Sequence, residues 1–243
     1  SHTAALTGLD ALYDAALKGT LSDPEIIRSH VNRMLSDPRA IDQSVRFVRQ
    51  WLNLDGLRNI RPDKKHFPEW DPQLANDMGS ETVTFFKEVV WEKKLPMSQL
   101  LNAQFTYLTP NLAKHYGIKS KDGNELARYD LSEIPSRGGL LTQGSTLTIG
   151  GDEASMVTRG LFVLHDLLRG VVKDPPPCVD TTPVPIKPGL SQRLIAEKRI
   201  SNKNCGGCHS RFEPLAFGLE RFDGLGTYLE KDSLGNLLRD DGK

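Results

Sequence analysis

Residues 201–220 read SNKNCGGCHSRFEPLAFGLE, and the pentapeptide Cys205-Gly206-Gly207-Cys208-His209 inside this stretch organises the reading of the whole chain. A C-x-x-C-H run is the attachment signal of a c-type haem. Two thiolates form thioether links to the porphyrin edge, and the adjacent imidazole binds iron. On a helical turn of about 100° per residue the two sulfurs and the ring fall within an arc of roughly 100°. All three therefore face one side of a flat ring. Gly206 and Gly207 remove side chains where the backbone runs closest to it. The expectation is one covalent haem c, anchored by Cys205 and Cys208, with His209 as proximal ligand and redox chemistry as the consequence. Three other readings use fewer of these residues. A structural zinc site needs four ligands, and Cys178 is the remaining cysteine. A thioredoxin-like dithiol needs a strand–helix setting, which the polar run Ser201–Asn204 does not offer. A plain disulfide leaves Cys178 odd and His209 unused.

Working outward, the 243 residues suffice for one large or two modest domains. Hydrophobic residues make up 38% and charged residues 26%, an ordinary globular balance. Lys plus Arg equals Asp plus Glu, which argues against a nucleic-acid surface. No apolar run approaches 18 residues, so no membrane span is expected. Haem c is attached covalently outside the cytoplasm, so the expected location is periplasmic or extracellular, after removal of a secretion signal. Ser1-His2 reads as a cloning scar. The charged end Arg239–Lys243 reads as an excision from something longer.

The first 120 residues carry helical periodicity. Leu6, Leu9, Leu12, Tyr13 and Leu17 form one stripe; Ser22-Asp23-Pro24 and Asp37-Pro38 open two more helices by cap and proline. After a proline-rich connection from Asn53 to Pro72, a longer helix is expected to about Glu92. Short ones follow near 96–101 and 109–116, the latter closed by Gly117. Residues 121–136 read as a connecting loop. The stretch 137–151 reads as either a short strand or irregular. Asp152 or Ser155 caps a helix that Gly170 stops. A stiff proline arm around 175–188 precedes a helix near 190–199. The predicted fold class is mainly α: an N-terminal helical layer (1–120) and a C-terminal cytochrome c-like haem domain with long loops (137–243).

The tail Asn204–Tyr228, NCGGCHSRFEPLAFGLERFDGLGTY, resembles the haem-motif domain of the planctomycete-cytochrome-type family. RGGLLTQGSTLT (Arg137–Thr148) and TRGLFVLHDLLRG (Thr158–Gly170) are similar to earlier parts of the same domain. FVRQWLNL (Phe47–Leu54), ETVTFF (Glu81–Phe86) and FTYLTPNLAKHYGI (Phe105–Ile118) resemble the helical domain that usually precedes it. The resemblance implies an exported multidomain haem protein without an assigned reaction. This sequence departs from the family pattern at Phe212, where methionine is frequent, and at Met156, where proline is frequent.

No Met or His lies between Ser210 and Lys243, so a sixth iron ligand comes from elsewhere or is absent. Met156, at a loop-to-helix junction, is the first candidate distal ligand, and an ordinary core methionine is its competing reading. His115 is the runner-up, and a satisfied buried histidine competes with it. His165 reads as core, Met78 and Met97 as helix packing, His66 as a weak candidate, and His2 and His30 as surface. Arg137, Arg159 and Arg221 are candidate partners for haem propionates. Glu213, Glu220 and Asp223 follow the motif closely and suggest acid–base work, with capping, turn formation and surface charge as the competing readings. The leading expectation is an exported mono-haem cytochrome passing electrons to a redox partner or neighbouring module. The alternatives are a peroxidase- or oxygenase-type haem enzyme with an open distal site, and a structural or binding module stapled by haem.

Overall fold

The structure is a computed structural model that describes residues 2–173, 175 and 180–241, with side chains from Asp10 onward. It divides into two compact units, 1–47 and 48–243. The first holds α1 (His2–Leu17), α2 (Pro24–Leu35) and the beginning of α3 (Pro38–Trp51). Asp23 caps α2, its side chain accepting from Glu25 N at 2.9 Å with Pro24 in the first turn. Although α2 carries Ile27, Val31 and Met34 at helical spacing, none of its residues is buried.

The second unit is built on α4 (Pro72–Lys87), opened by Asp71 accepting from Leu74 N at 2.7 Å. Leu74, Met78 and Phe85 of α4 pack with Val48, Leu54, Leu57, Leu108 and Leu112 into one continuous apolar core. α4 then widens into a single π turn, Glu88–Glu92. Glu88 points inward there, accepting from Arg128 Nε at 3.0 Å and from the Tyr107 hydroxyl. Past α5 (Gln99–Asn102) lies a two-stranded antiparallel sheet, β1 (Phe105–Leu108) and β2 (Ala127–Asp130), with Phe105 opposite Asp130. The sequence reading gave neither as a strand: the first fell within the helical layer 1–120 and the second within the loop 121–136. Four residues with one buried side chain, Tyr129, give too short an alternation to be recognised alone, and pairing with β1 supplies the rest. Between the strands, Thr109 caps α6 (Pro110–His115), and Gly117 at φ +69 closes it.

The undecided stretch 137–151 forms short helical turns, with α7 (Gly144–Leu147) between two 3₁₀ segments. Of the two proposed caps, Ser155 is the one used: its Oγ accepts from Thr158 N at the start of α8 (Met156–Phe162). α8 runs on as a π turn to Leu167, and its stop falls at Arg169, φ +56, one residue before Gly170.

Glu81 sits inside this unit, 1% exposed, accepting from Thr106 Oγ1 at 2.6 Å and the Tyr116 hydroxyl at 2.7 Å. Tyr116 in turn accepts from Gly144 N at 2.6 Å, so α4, β1, α6 and α7 meet at one buried carboxyl. Burial pushes the Glu81 pKa up to about 7.

Candidate functional site

The pentapeptide is presented by a helix, a tight turn and a second helical turn. Ser191 caps α9 (Gln192–Ser201), its hydroxyl accepting from Leu194 N. Lys198 and Arg199 fall in the last turn, where cations complement the exposed carbonyls. The Asn202 carbonyl then accepts from Cys205 N at 3.1 Å and Gly206 N at 2.7 Å, reversing the chain into α10 (Gly206–His209). At Gly206 a Cβ would stand 2.2 Å from the Ile200 carbonyl oxygen. Its role is therefore to let α10 close onto the end of α9, whereas at Gly207 a Cβ would meet open space. Hydrogen bonds from Cys208 N and His209 N to the Cys205 carbonyl make the turn helical.

Cys205 and Cys208 are half-buried free thiols. The His209 ring packs on Phe212, centroids 5.0 Å apart and tilted by 49°. Its Nδ1 is shut off from water without a well-aligned hydrogen bond, and Glu213 Oε2 stands 3.2 Å away. Glu213 is fully buried and gripped by Arg199, with Nε 3.0 Å from Oε1 and Nη2 on the same oxygen. The sequence reading of Glu213 as cap or surface charge is thus corrected: it is the buried partner of Arg199 and lies against His209. The four-residue spacing from His209 was the available signal. Two free thiols, an imidazole with its inner nitrogen buried and the space above Gly207 fit a covalently attached porphyrin. Among the described residues, no group of three or more His, Cys, Asp or Glu is placed to hold a bare metal ion.

Behind this turn, a Cβ at Gly160 would stand 2.3 Å from the Phe212 carbonyl oxygen, so α8 and the post-motif chain meet backbone to backbone. Arg159 locks the contact. Its guanidinium donates to the carbonyls of Leu147, Leu219, Phe222 and Asp223, and burial lowers its pKa to about 10. Arg137 donates to the Thr142 and Gly226 carbonyls and lies over the Tyr116 ring. Arg221 donates to the Leu229 carbonyl and pairs with Asp240. All three arginines that the sequence offered to propionates are engaged with the chain's own loops here. Glu220 is buried as well, accepting from Ser191 Oγ and Arg239 N, both at 2.8 Å. Asp223 is a turn former, its Oδ1 accepting from Leu225 N and Thr227 N.

Met156 is 1% exposed, packed with Ala196, Ala216 and Phe217. It also borders a cavity of about 260 Å³ that none of Cys205, Cys208 and His209 lines. The His115 side chain is 3% exposed, with Nε2 2.9 Å from the Leu225 carbonyl oxygen and Nδ1 3.8 Å from Glu69. His66 is exposed and paired with Asp63. Two packing assignments are corrected: His165 is exposed on the π turn after α8, and Met97 is 63% exposed. Met78 is fully buried, as packing requires. Cys178 lies outside the described residues.

The mainly helical frame carrying this turn matches families of cytochrome type. More particularly, the chain belongs to the planctomycete cytochrome-type families: residues 9–118 match PSD4, a protein of unknown function (DUF1592), and residues 137–232 match PSCyt3, a protein of unknown function (DUF1588). The second match contains the pentapeptide and all three arginines. Neither a curated protein nor a solved structure shows significant similarity to the chain. No helix among the described residues is long and apolar enough to cross a membrane.

Proposed function

We propose that this chain is an exported mono-haem c-type cytochrome that transfers electrons within or between extracytoplasmic redox proteins. Residues 137–243 act as the haem-carrying domain and 1–120 as its helical companion. The observation that carries the reading is the α10 turn, with two free thiols and His209, whose inner nitrogen is buried against Glu213. That leaves Nε2 as the ring atom available to iron. Cys205 and Cys208 anchor the group covalently, and His209 is the proximal ligand. Bound there, haem supplies a reversible one-electron couple.

One observation favours a second reading. His115 Nε2 is engaged by a carbonyl and Met156 is packed in an apolar cluster, so either would have to leave its present partners to reach iron. A haem enzyme with an open distal face is therefore the alternative. Expression with haem c maturation machinery tests both. The first expectation is a mass increase of one haem that Cys205→Ala plus Cys208→Ala abolishes; colourless protein of unmodified mass overturns the proposal. A low-spin spectrum altered by Met156→Ala or His115→Ala identifies a carrier with that ligand. A high-spin spectrum that responds to cyanide or peroxide identifies the enzyme.

A further inference from the structure

We propose that Glu213, held by Arg199, is the positioning residue of the His209 ring: it accepts a hydrogen bond from Nδ1–H and so keeps the Nε2 lone pair turned outward for iron. The proposal rests on the haem reading and adds to it the residue that would set the character of the proximal ligand.

Three observations converge on this pair. His209 Nδ1 has no access to water, so its proton must go to a protein acceptor or remain unpaired at a cost. Glu213 Oε2 stands 3.2 Å from Nδ1, within ion-pair reach but off the line of an N–H bond. Contacts of this kind commonly tighten when the ligand binds. Glu213 is itself fully buried, and a buried carboxylate persists only with partners. Arg199 grips mainly Oε1 and leaves Oε2 for the imidazole. Phe212, the residue before Glu213, packs against the ring, centroids 5.0 Å apart.

An anionic acceptor behind a ligating imidazole does more than fix the tautomer. It makes the ring more basic and electron-rich, as outer partners of metal-bound histidines do. A more basic ligand favours ferric over ferrous iron, so the carboxylate holds the reduction potential down. Arg199 takes back part of that charge. The two residues act as a tuner whose halves push in opposite directions.

Two arms test the proposal. In the whole chain carrying Cys205→Ser and Cys208→Ser, which takes no covalent haem, ¹⁵N NMR of the neutral His209 ring should give a protonated Nδ1 and a bare Nε2. Glu213→Leu should shift the ring toward the Nε2–H tautomer. A wild-type ring already in the Nε2–H form overturns the proposal. In the haem-loaded chain, Glu213→Gln should raise the midpoint by about 60 mV, a tenfold change in the oxidised-to-reduced ratio at fixed potential. Glu213→Asp should recover part of that shift, and Arg199→Gln should move the midpoint the other way. A change under twofold in Glu213→Gln, or shifts of the same sign in Glu213→Gln and Arg199→Gln, overturns it. Failure of the haem reading appears separately, as wild-type chain without added haem mass, and leaves the NMR arm to decide the tautomer.

Discussion

Two helices of similar origin end very differently in this chain. The twelve-residue α2 is cleanly amphipathic and proline-capped, yet buries none of its residues; the sixteen-residue α4 carries Gly79, Thr82 and Glu81 in its middle and buries nine. Periodicity predicts that a segment is helical, because a turn of 3.6 residues collects apolar side chains on one face. It does not state what that face meets. In the second unit the interior admits polar residues wherever a partner is supplied: Thr82 donates to Gln143 Oε1 at 2.8 Å, and Glu81 is satisfied by Thr106 and Tyr116. The contrast is between a helix made by local rules and one whose buried polar atoms are matched from distant parts of the sequence.

Substitutions in the two units can break or sharpen that contrast. Trp51, Trp70 and Trp91 are the chain's tryptophans and all lie in the second unit, so their fluorescence reports its unfolding. The largest effect is expected for Arg159→Met, which strands four backbone carbonyls that one guanidinium satisfies. A loss of ~3–5 kcal/mol in urea is expected, and a loss near zero would show that the post-motif chain is not keyed to α8 through this residue.

Next comes pH. Burial raises the Glu81 carboxyl from its ordinary 4.5 to about 7, so between those values the folded chain keeps a proton that the unfolded chain has released. The stability tied to the neutral acid is intact below 4.5 and drains away as pH rises through 7. Urea midpoints of the wild type should fall across that window by the equivalent of a few kcal/mol, and Glu81→Gln should flatten the slope. A wild type whose stability climbs from pH 5 to 7 would reverse the assignment.

A smaller effect is expected at Gly160. Adding a methyl there drives against the Phe212 carbonyl and should cost about 1–3 kcal/mol, also loosening the turn that carries His209. The smallest is expected in the first unit. Ile27→Ser on α2 should alter thermal stability, followed by circular dichroism, by no more than about 0.5 kcal/mol, as exposed substitutions do. A loss as large as that at Gly160 would mean that the α2 face is covered after all.

Much of this was legible beforehand, in proportion to how local the chemistry is. Asp23-Pro24 and Ser155 act as the caps the sequence offered, because a cap needs only the residues beside it, and Asp71, Thr109 and Ser191 cap in the same way without having been singled out. β2 escaped because four residues acquire strand character only from their pairing with Phe105–Leu108. The arginines were legible as cations but not as loop clamps, since a guanidinium suits a carboxylate and a carbonyl cage equally. Met97 and His165 show the converse: an apolar or half-apolar residue in a helical pattern can face water.

By itself the sequence determined that the chain is mainly helical and where several of its helices begin, because each follows from bonding within a few residues. Tertiary structure alone decided that Glu213 lies buried between Arg199 and His209, that His115 is held by Leu225, and that Arg159 clamps four carbonyls. Those outcomes depend on which atoms remain without water once the chain has folded, and no local pattern encodes that.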